Sequence, residues 1–309
     1  TIMPLERRQE MLRLAEAHDT PIFEDECYSD LIWSGERPPA IYALDETGRT
    51  IFTSTFSKSI APALRGSSAV MALVLGGLLG QGNPDFLTAA GFSDSPHFMY
   101  SGYDKNGEWY QLYQIGFGGI PGKPSGDGPD GHSLWPSFTN VPNEFLESYF
   151  PLRIDIYETI PDSGGAGLHR GGNALRVGYR FLEPGTISIH DDRWLTYPWG
   201  VLGGETGQRS TKRLVRADGS EQWLPAKVEG IKVKEGDMLY FNTWGGGGWG
   251  DPFKRDPELV RQDVERRLVT RDGARRYGVV IGDDDTVDAA ATDQLRAELV
   301  ASRGDNIDL

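Results

Sequence analysis

Cys27 is the chain's one cysteine, so no internal disulfide can staple the fold and no cluster of thiolates can hold a metal. A reducing cytoplasm is the location this composition leads one to expect. Basic residues are also in short supply: 31 Lys and Arg stand against 45 Asp and Glu in 309 residues, a net charge of -14. Such a balance offers no basic footprint for nucleic acid or an anionic membrane, which need clustered cations to replace counterions. An acidic surface that aids solubility is the plain meaning. Long apolar runs are missing as well. The stretch from Ala69 to Leu79 is broken by two glycines and is too short to span a bilayer. The opening Thr1-Ile2-Met3-Pro4 lacks the basic region and apolar core of a signal peptide.

Glycine is scarce in one part and abundant in the other. Of 40 glycines only Gly35 and Gly48 fall within residues 1–65, leaving 38 for residues 66–309, against an average usage of roughly 7%. The break predicts two architectures meeting near Gly66-Ser67-Ser68, a domain of residues 1–65 and another of residues 66–309. Residues 4–17 read as an amphipathic helix carrying Leu5, Met11, Leu12, Leu14 and Ala15 among charges. Short strands follow at Thr20–Phe23 and Thr50–Thr53, each running into polar residues. Strand ends of this kind are where open α/β sheets place ligand chemistry.

The first segment resembles the fold-type I pyridoxal-phosphate aminotransferases. Asp25 and Tyr28 match that family's Asp-x-x-Tyr motif, and Thr55-Phe56-Ser57-Lys58 through Pro62-Ala63-Leu64-Arg65 matches its lysine motif. The resemblance implies Asp25 at the pyridinium nitrogen, Tyr28 at the phenolic oxygen, Lys58 as the Schiff-base lysine, and Ser57 and Arg65 near the phosphate. A carboxylate at the ring nitrogen keeps the cofactor an electron sink. The rest of that fold, including the phosphate-cradling helix start and the small domain, has no counterpart here. Pyridoxal phosphate is therefore expected as an ancestral ligand of a remnant and not as a working cofactor.

From Ile115 onward Gly, Pro, Asp and Asn punctuate short apolar or alternating runs: Leu152–Tyr157, Leu175–Phe181, Thr186–His190 and Met238–Asn242. This pattern predicts a β-rich domain with tight turns. Near the C-terminus Asp256 reads as an N-cap with Pro257 at the first helical position and Leu259, Val260, Val264 and Leu268 on one face. Shorter helices are expected around Asp272–Arg276 and Asp293–Ala301. The fold class is accordingly α+β, a β-rich, glycine-rich domain with C-terminal helices behind a short α/β fragment.

Several side chains in this part could carry chemistry. Asp127, Asp130 and His132 lie on a glycine-rich loop, Gly126 to His132, where small residues allow close approach to a ligand. Glu144 and Glu147 share a face if their stretch is helical; with Asn140 they could act in acid–base steps or bind a cation, and Asn140 is also a candidate substrate or anion contact. The loop from Asp162-Ser163-Gly164-Gly165 to Arg170-Gly171-Gly172 could cradle an anion with backbone N–H groups and Arg170. Each has a blander alternative as a turn, cap or surface residue. The run Gly245–Gly248 beside Trp249 reads as a place of tight backbone packing.

Taken in order, the motifs Gly126–Gly131, Thr139-Asn140-Val141-Pro142-Asn143-Glu144, Tyr149-Phe150-Pro151-Leu152, Asp162–Gly167, Arg170-Gly171-Gly172, Asp192-Arg193, Pro198-Trp199-Gly200, Gly245–Pro252 and Arg275-Arg276-Tyr277-Gly278 resemble the C-terminal half of hydantoinase B/oxoprolinase subunits, over about residues 69–309. The resemblance implies one component of an enzyme that uses ATP to open cyclic amides such as hydantoins or 5-oxoproline, or to carboxylate ketones. It implies a hydantoinase A-type partner that binds the ATP, with phosphorylation of an enol-like or imidate oxygen as the shared logic. A family metal site is implied for the N-terminal half of such a subunit, so no metal is assigned here. Two other functions compete: a pyridoxal-phosphate enzyme remnant, and a non-catalytic module that binds a partner.

Overall fold

The structure, a computed structural model, describes residues 3–25, 38–53, 82–91, 96–132 and 140–303. The chain forms two compact units, Thr1–Met71 and Ala72–Leu309. Among the described residues no helix is long and apolar enough to cross a membrane. The run Ala69–Leu79 lies outside them, as do Tyr28, Ser57, Lys58 and Arg65; Asp25 is described as strand backbone.

In the first unit a helix spans Leu5–Ala17, and strands β1 (Ile22–Asp25) and β2 (Thr50–Thr53) pair in parallel. Both strands lie within a residue or two of the positions expected from the apolar runs. Glu24 organises the unit. Its carboxylate accepts the backbone N–H of Ile41 at 2.8 Å and of Tyr42 at 2.9 Å, starting the short helix Ile41–Leu44, and it pairs with Arg8 at 3.4 Å. A carboxylate at a helix start meets the orphan donors and the positive end of the dipole.

The second unit begins with a β-sandwich. One sheet has the order β10-β7-β3-β4 and the other β5-β6-β11-β8-β9. The strands are β3 (His97–Tyr103), β4 (Trp109–Ile115), β5 (Leu152–Thr159), β6 (Leu175–Phe181), β7 (Gly185–His190), β8 (Thr211–Val215), β9 (Glu221–Leu224), β10 (Lys227–Val233) and β11 (Met238–Asn242). All pairings are antiparallel. Period-2 alternation turns Phe98, Tyr100, Leu112, Ile187 and Ile189 of the first sheet toward Val177, Tyr179, Phe181, Leu214, Leu239 and Phe241 of the second, in one buried core. Phe98 stacks on Tyr179 with ring centroids 4.6 Å apart, and Tyr100 meets Phe181 at 4.9 Å. The helix Asn143–Tyr149 closes one corner by burying Leu146.

Glycine builds the next layer. Four successive glycines, Gly245–Gly248, thread between other backbones and hydrogen-bond to them in threes. Gly245 and Gly248 donate to Gln208 and Glu205 at 3.0 and 2.9 Å, while Trp244 and Gly247 accept from Gly119 and Gly122, both at 2.8 Å. Gly246 donates to Gly172 and accepts from Gly165, Gly247 donates to Ala90, and Gly248 accepts from Val201. Bonds that repeat to one neighbour every third residue are the signature of a chain with three residues per turn, the period of polyproline II and collagen helices. Such a bundle has no room for side chains. A Cβ would fall 1.9 Å from the Ser163 carbonyl at Gly245, 2.2 Å from that of Ile120 at Gly246 and 2.0 Å from that of Trp199 at Gly247.

The C-terminal residues form a small second core of Val260, Val269, Ala274, Tyr277 and Val279 around Ala166. The helix Pro257–Glu265 starts at Asp256, whose side chain accepts from the Glu258 N–H, as the Asp-Pro signal predicts. Gly273–Tyr277 is a 3-10 turn and Ala289–Arg303 the last helix. One expectation fails: Leu259 is 44% exposed, and Asp263, three residues after the buried Val260, takes the inward position.

Candidate functional site

The glycine-rich loop of Asp127 and Asp130, the loop of Arg170, and the start of the C-terminal helical region converge on one set of charges. Asp127 takes a two-pronged bond from Arg255 at 2.7 and 2.8 Å and the Arg170 backbone N–H at 2.9 Å. Asp130 takes a matching fork from Arg170 at 2.7 and 3.0 Å and the Asn173 N–H at 2.7 Å. Asp263 joins the two arginines, 2.8 Å from Arg255 and 3.4 Å from Arg170. The arginine side chains are 2% and 8% exposed, so their charges persist only because carboxylates surround them.

Burial pushes the Asp127 carboxyl up, but the Arg255 hydrogen bond and the charges of Arg255 and Arg170 outweigh it and hold it below the usual carboxylate range. Burial likewise opposes the Arg170 charge, and its Asp130 partner more than restores it. Three carboxylates against two guanidiniums leave the cluster with a surplus negative charge. His169 stands beside that surplus, its Nδ1 3.8 Å from Asp127 and its ring 5.7 Å from that of Trp249.

Of the residues singled out from sequence, Asp127, Asp130 and Arg170 thus meet. Asp162 and Ser163 serve the loop itself. The Asp162 carboxylate, on a residue with φ 62°, accepts the backbone N–H and hydroxyl of Thr270 at 2.9 and 2.6 Å. Ser163 is 3% exposed; its Oγ donates to the Ile160 carbonyl and accepts from the Ala174 N–H. A third group gathers where the helix Asn143–Tyr149 meets β5. Glu147 accepts the Ile154 N–H at 2.8 Å, Asn140 donates to the Tyr157 hydroxyl, and Glu144 stands exposed in the helix's first turn. The helix does put the two glutamates three apart on one face. His132 is fixed through its backbone, its N–H donating to Gly118 at 2.9 Å. Among the described residues no three His, Cys, Asp or Glu side chains gather as a metal would need.

Arg255, Asp263 and Lys212 also belong among the functional candidates, and no sequence motif marks them. Lys212 and Asp191 form an ion pair with no exposed surface on either side chain, and the ammonium also donates to the Asn242 carbonyl at 2.9 Å. Burial lowers the lysine's pKa against the pull of Asp191. The available signal was a charge at an alternating apolar position of β8, between Thr211 and Leu214. Asp263 offered a similar one, a carboxylate on the apolar stripe of a helix.

A two-sheet sandwich on a glycine bundle, with arginines locked among carboxylates beneath it, is a distinctive frame, and comparison with known proteins identifies it. The model of the hydantoinase B/oxoprolinase family matches residues 45–252, and the chain belongs to that family. The match begins earlier than the expected Ala69 and ends before the C-terminus. The caprolactamase subunit beta of Pseudomonas jessenii is 33% identical over 160 residues, 50% of this chain and 27% of that protein. The solved ATP-dependent caprolactamase of the same organism superposes with a TM-score of 0.61 at 28% identity, over 71% of this chain and 40% of that one. The nucleotide-free acetone carboxylase structure shares the fold with a TM-score of 0.64 at 20% identity, over 73% of this chain and 35% of that one. At the other end, an uncharacterized aminotransferase of Saccharolobus solfataricus is 51% identical over 65 residues, 21% of this chain and 16% of that protein. The chain therefore spans well under two thirds of the length of each of these proteins.

Proposed function

We propose that this chain supplies the C-terminal part of a B-type subunit in an ATP-dependent enzyme that opens a cyclic amide, of the hydantoin, oxoproline or lactam type, or carboxylates a small ketone. The family match over residues 45–252 carries the reading. ATP is expected on a hydantoinase A-type partner, and a cytoplasmic setting suits a chain with one cysteine. In this reading Asp127, Asp130 and Arg170 are positioning residues, because their charged atoms are already engaged with one another and with Arg255. Asp162 and Ser163 hold the neighbouring loop in the same way. His132, Glu144 and Glu147 are the acid–base candidates and Asn140 a substrate contact. Of the two glutamates, Glu147 is engaged by the Ile154 N–H, while Glu144 stands exposed in the first turn of its helix.

The test is co-expression with a hydantoinase A-type subunit, followed by an assay of ATP hydrolysis stimulated by hydantoins, 5-oxoproline, caprolactam or acetone. A complex with substrate-dependent turnover supports the reading. No complex and no turnover overturns it, and leaves ancestry as the meaning of the match.

The segment of residues 1–65 carries a narrower reading as part of an aminotransferase, favoured by its 51% identity to one and by the parallel pairing of β1 and β2. The side chains that would hold pyridoxal phosphate lie outside those described, so no chemistry is derived for it. A yellow cofactor spectrum that disappears in Lys58→Ala would establish a working site; a colourless protein after incubation with pyridoxal phosphate would establish a remnant.

A further inference from the structure

We propose that Arg193 anchors a binding site for a small oxyanion, a carboxylate, bicarbonate or phosphate group, in the second unit. The reason is a contrast among buried arginines. Arg170 and Arg255 each face a carboxylate at 2.7 Å, and Arg8 of the first unit pairs with Glu24 at 3.4 Å. Arg193, only 7% exposed, has none at ion-pair distance among the described residues. Its Nε donates to the Gly91 carbonyl at 2.7 Å, and its guanidinium lies over the Trp199 ring, 4.9 Å from the centroid. Its two terminal nitrogens donate to nothing described. Asp191 is committed to Lys212, and Asp192 acts on Arg193 only at a distance, more weakly than burial does.

A buried cation without a counter-ion is costly, and folded proteins resolve it by pairing or by a ligand. Two further observations belong to the same place. Arg193 is held at φ 55°, a left-handed conformation uncommon for a long side chain, and such strain gathers at binding sites. Its carbonyl accepts the Ser210 N–H at 3.1 Å, and the Ser210 hydroxyl is sealed from solvent with no hydrogen-bond partner. With Nε engaged, the free edge of the guanidinium is the pair of terminal nitrogens. That edge matches two oxygens of one planar or tetrahedral oxyanion. The Trp199 face fixes the plane of the fork before the anion arrives, which reduces the ordering that binding must cost.

The experiment needs only this chain and three probes: sodium phosphate, bicarbonate and acetate, each compared with chloride at matched ionic strength. In thermal denaturation and calorimetric titration, at least one oxyanion should raise the wild-type midpoint in a saturable way that chloride does not. Arg193→Gln should abolish that response. Arg193→Lys, which keeps the charge and loses the fork, should weaken it at least tenfold. Preference for phosphate would assign a phosphoryl ligand, and preference for acetate or bicarbonate a carboxyl one. A wild-type protein that treats all three as chloride, or an Arg193→Gln protein that responds undiminished, overturns the proposal. Should Arg193→Gln fail to fold, the wild-type arginine Nε–H resonance decides. It must shift on titration with the preferred anion, and an unmoved resonance is equally fatal.

Discussion

Asp263 occupies a position where a single carboxylate touches both buried arginines, and its loss is unlike the loss of a surface charge. Asp263→Ala leaves Arg255 with Asp127 alone and removes the group nearest the Arg170 Nε. Breaking a buried pair by deleting one partner costs about 3–5 kcal/mol, because the remaining charge stays buried. Urea unfolding should place Asp263→Ala near the low end of that range, since each arginine keeps one other carboxylate; a loss below about 1 kcal/mol would show that water reaches the cluster. Asp127 supplies the pH signature. Its folded pKa is depressed, so its contribution is complete above the ordinary aspartate value of about 3.9 and is lost below it, as pH falls through the depressed value. Thermal midpoints measured from neutral pH into that acid range should fall more steeply for wild type than for Asp127→Asn. Parallel curves would mean that the carboxylate titrates as an ordinary one.

At the level of elements, what the sequence disclosed depended on the distance over which the information was spread. Apolar runs located β5, β6, β7, β11 and the strands of the first unit, because alternation is written in adjacent residues. Asp256-Pro257 located the start of its helix for the same reason. The hairpin of β3 and β4 carries its own local signal, the turn sequence Asp104-Lys105-Asn106-Gly107, in which the Asp104 carboxylate accepts from Asn106 and Glu108, both at 2.8 Å. The arginine cluster was half legible. Asp127, Asp130 and Arg170 sit in motifs that stand out, but Arg255 lies 128 residues from Asp127, and nothing local joins them. The glycine bundle is legible in the Gly245–Gly248 run as tight backbone packing, but its partners are not, since its bonds link segments far apart in the chain. Its tightness makes a sharp prediction. Gly246→Ala would set a Cβ 2.2 Å from the Ile120 carbonyl oxygen and 2.8 Å from the Pro121 nitrogen, backbone atoms with no flexible side chain to yield, so it should cost about 3 kcal/mol or more. Gly82→Ala has nothing within 4 Å and should stay within about 0.5 kcal/mol of wild type in the same urea titration. Equal effects would show that the bundle has slack.

Across the second unit as a whole, the C-terminal helix is connected to the glycine bundle by a short chain of contacts. Arg303 forks onto Asp251 at 3.0 and 2.9 Å, and Arg296 donates to the Arg255 carbonyl at 2.6 Å. Arg255 holds Asp127, Asp127 holds the Arg170 N–H, and the Arg170 carbonyl accepts from Gly128 at 2.8 Å. Gly172, two residues on, accepts from Gly246 at the centre of the bundle. The sandwich core is built from β-strand side chains and Leu146 of the helix Asn143–Tyr149, and shares none of these links. Truncation after Asp288 should therefore loosen the bundle while sparing the strands. Amide hydrogen exchange would read this directly, since protection reports local opening. Exchange should quicken across residues 119–132 and 164–172 and stay slow in β6 and β11. If all of these segments quicken together, the bundle and the sandwich open as one cooperative unit. If none does, the final helix is an appendage, and Arg255 alone suffices to hold the cluster in place.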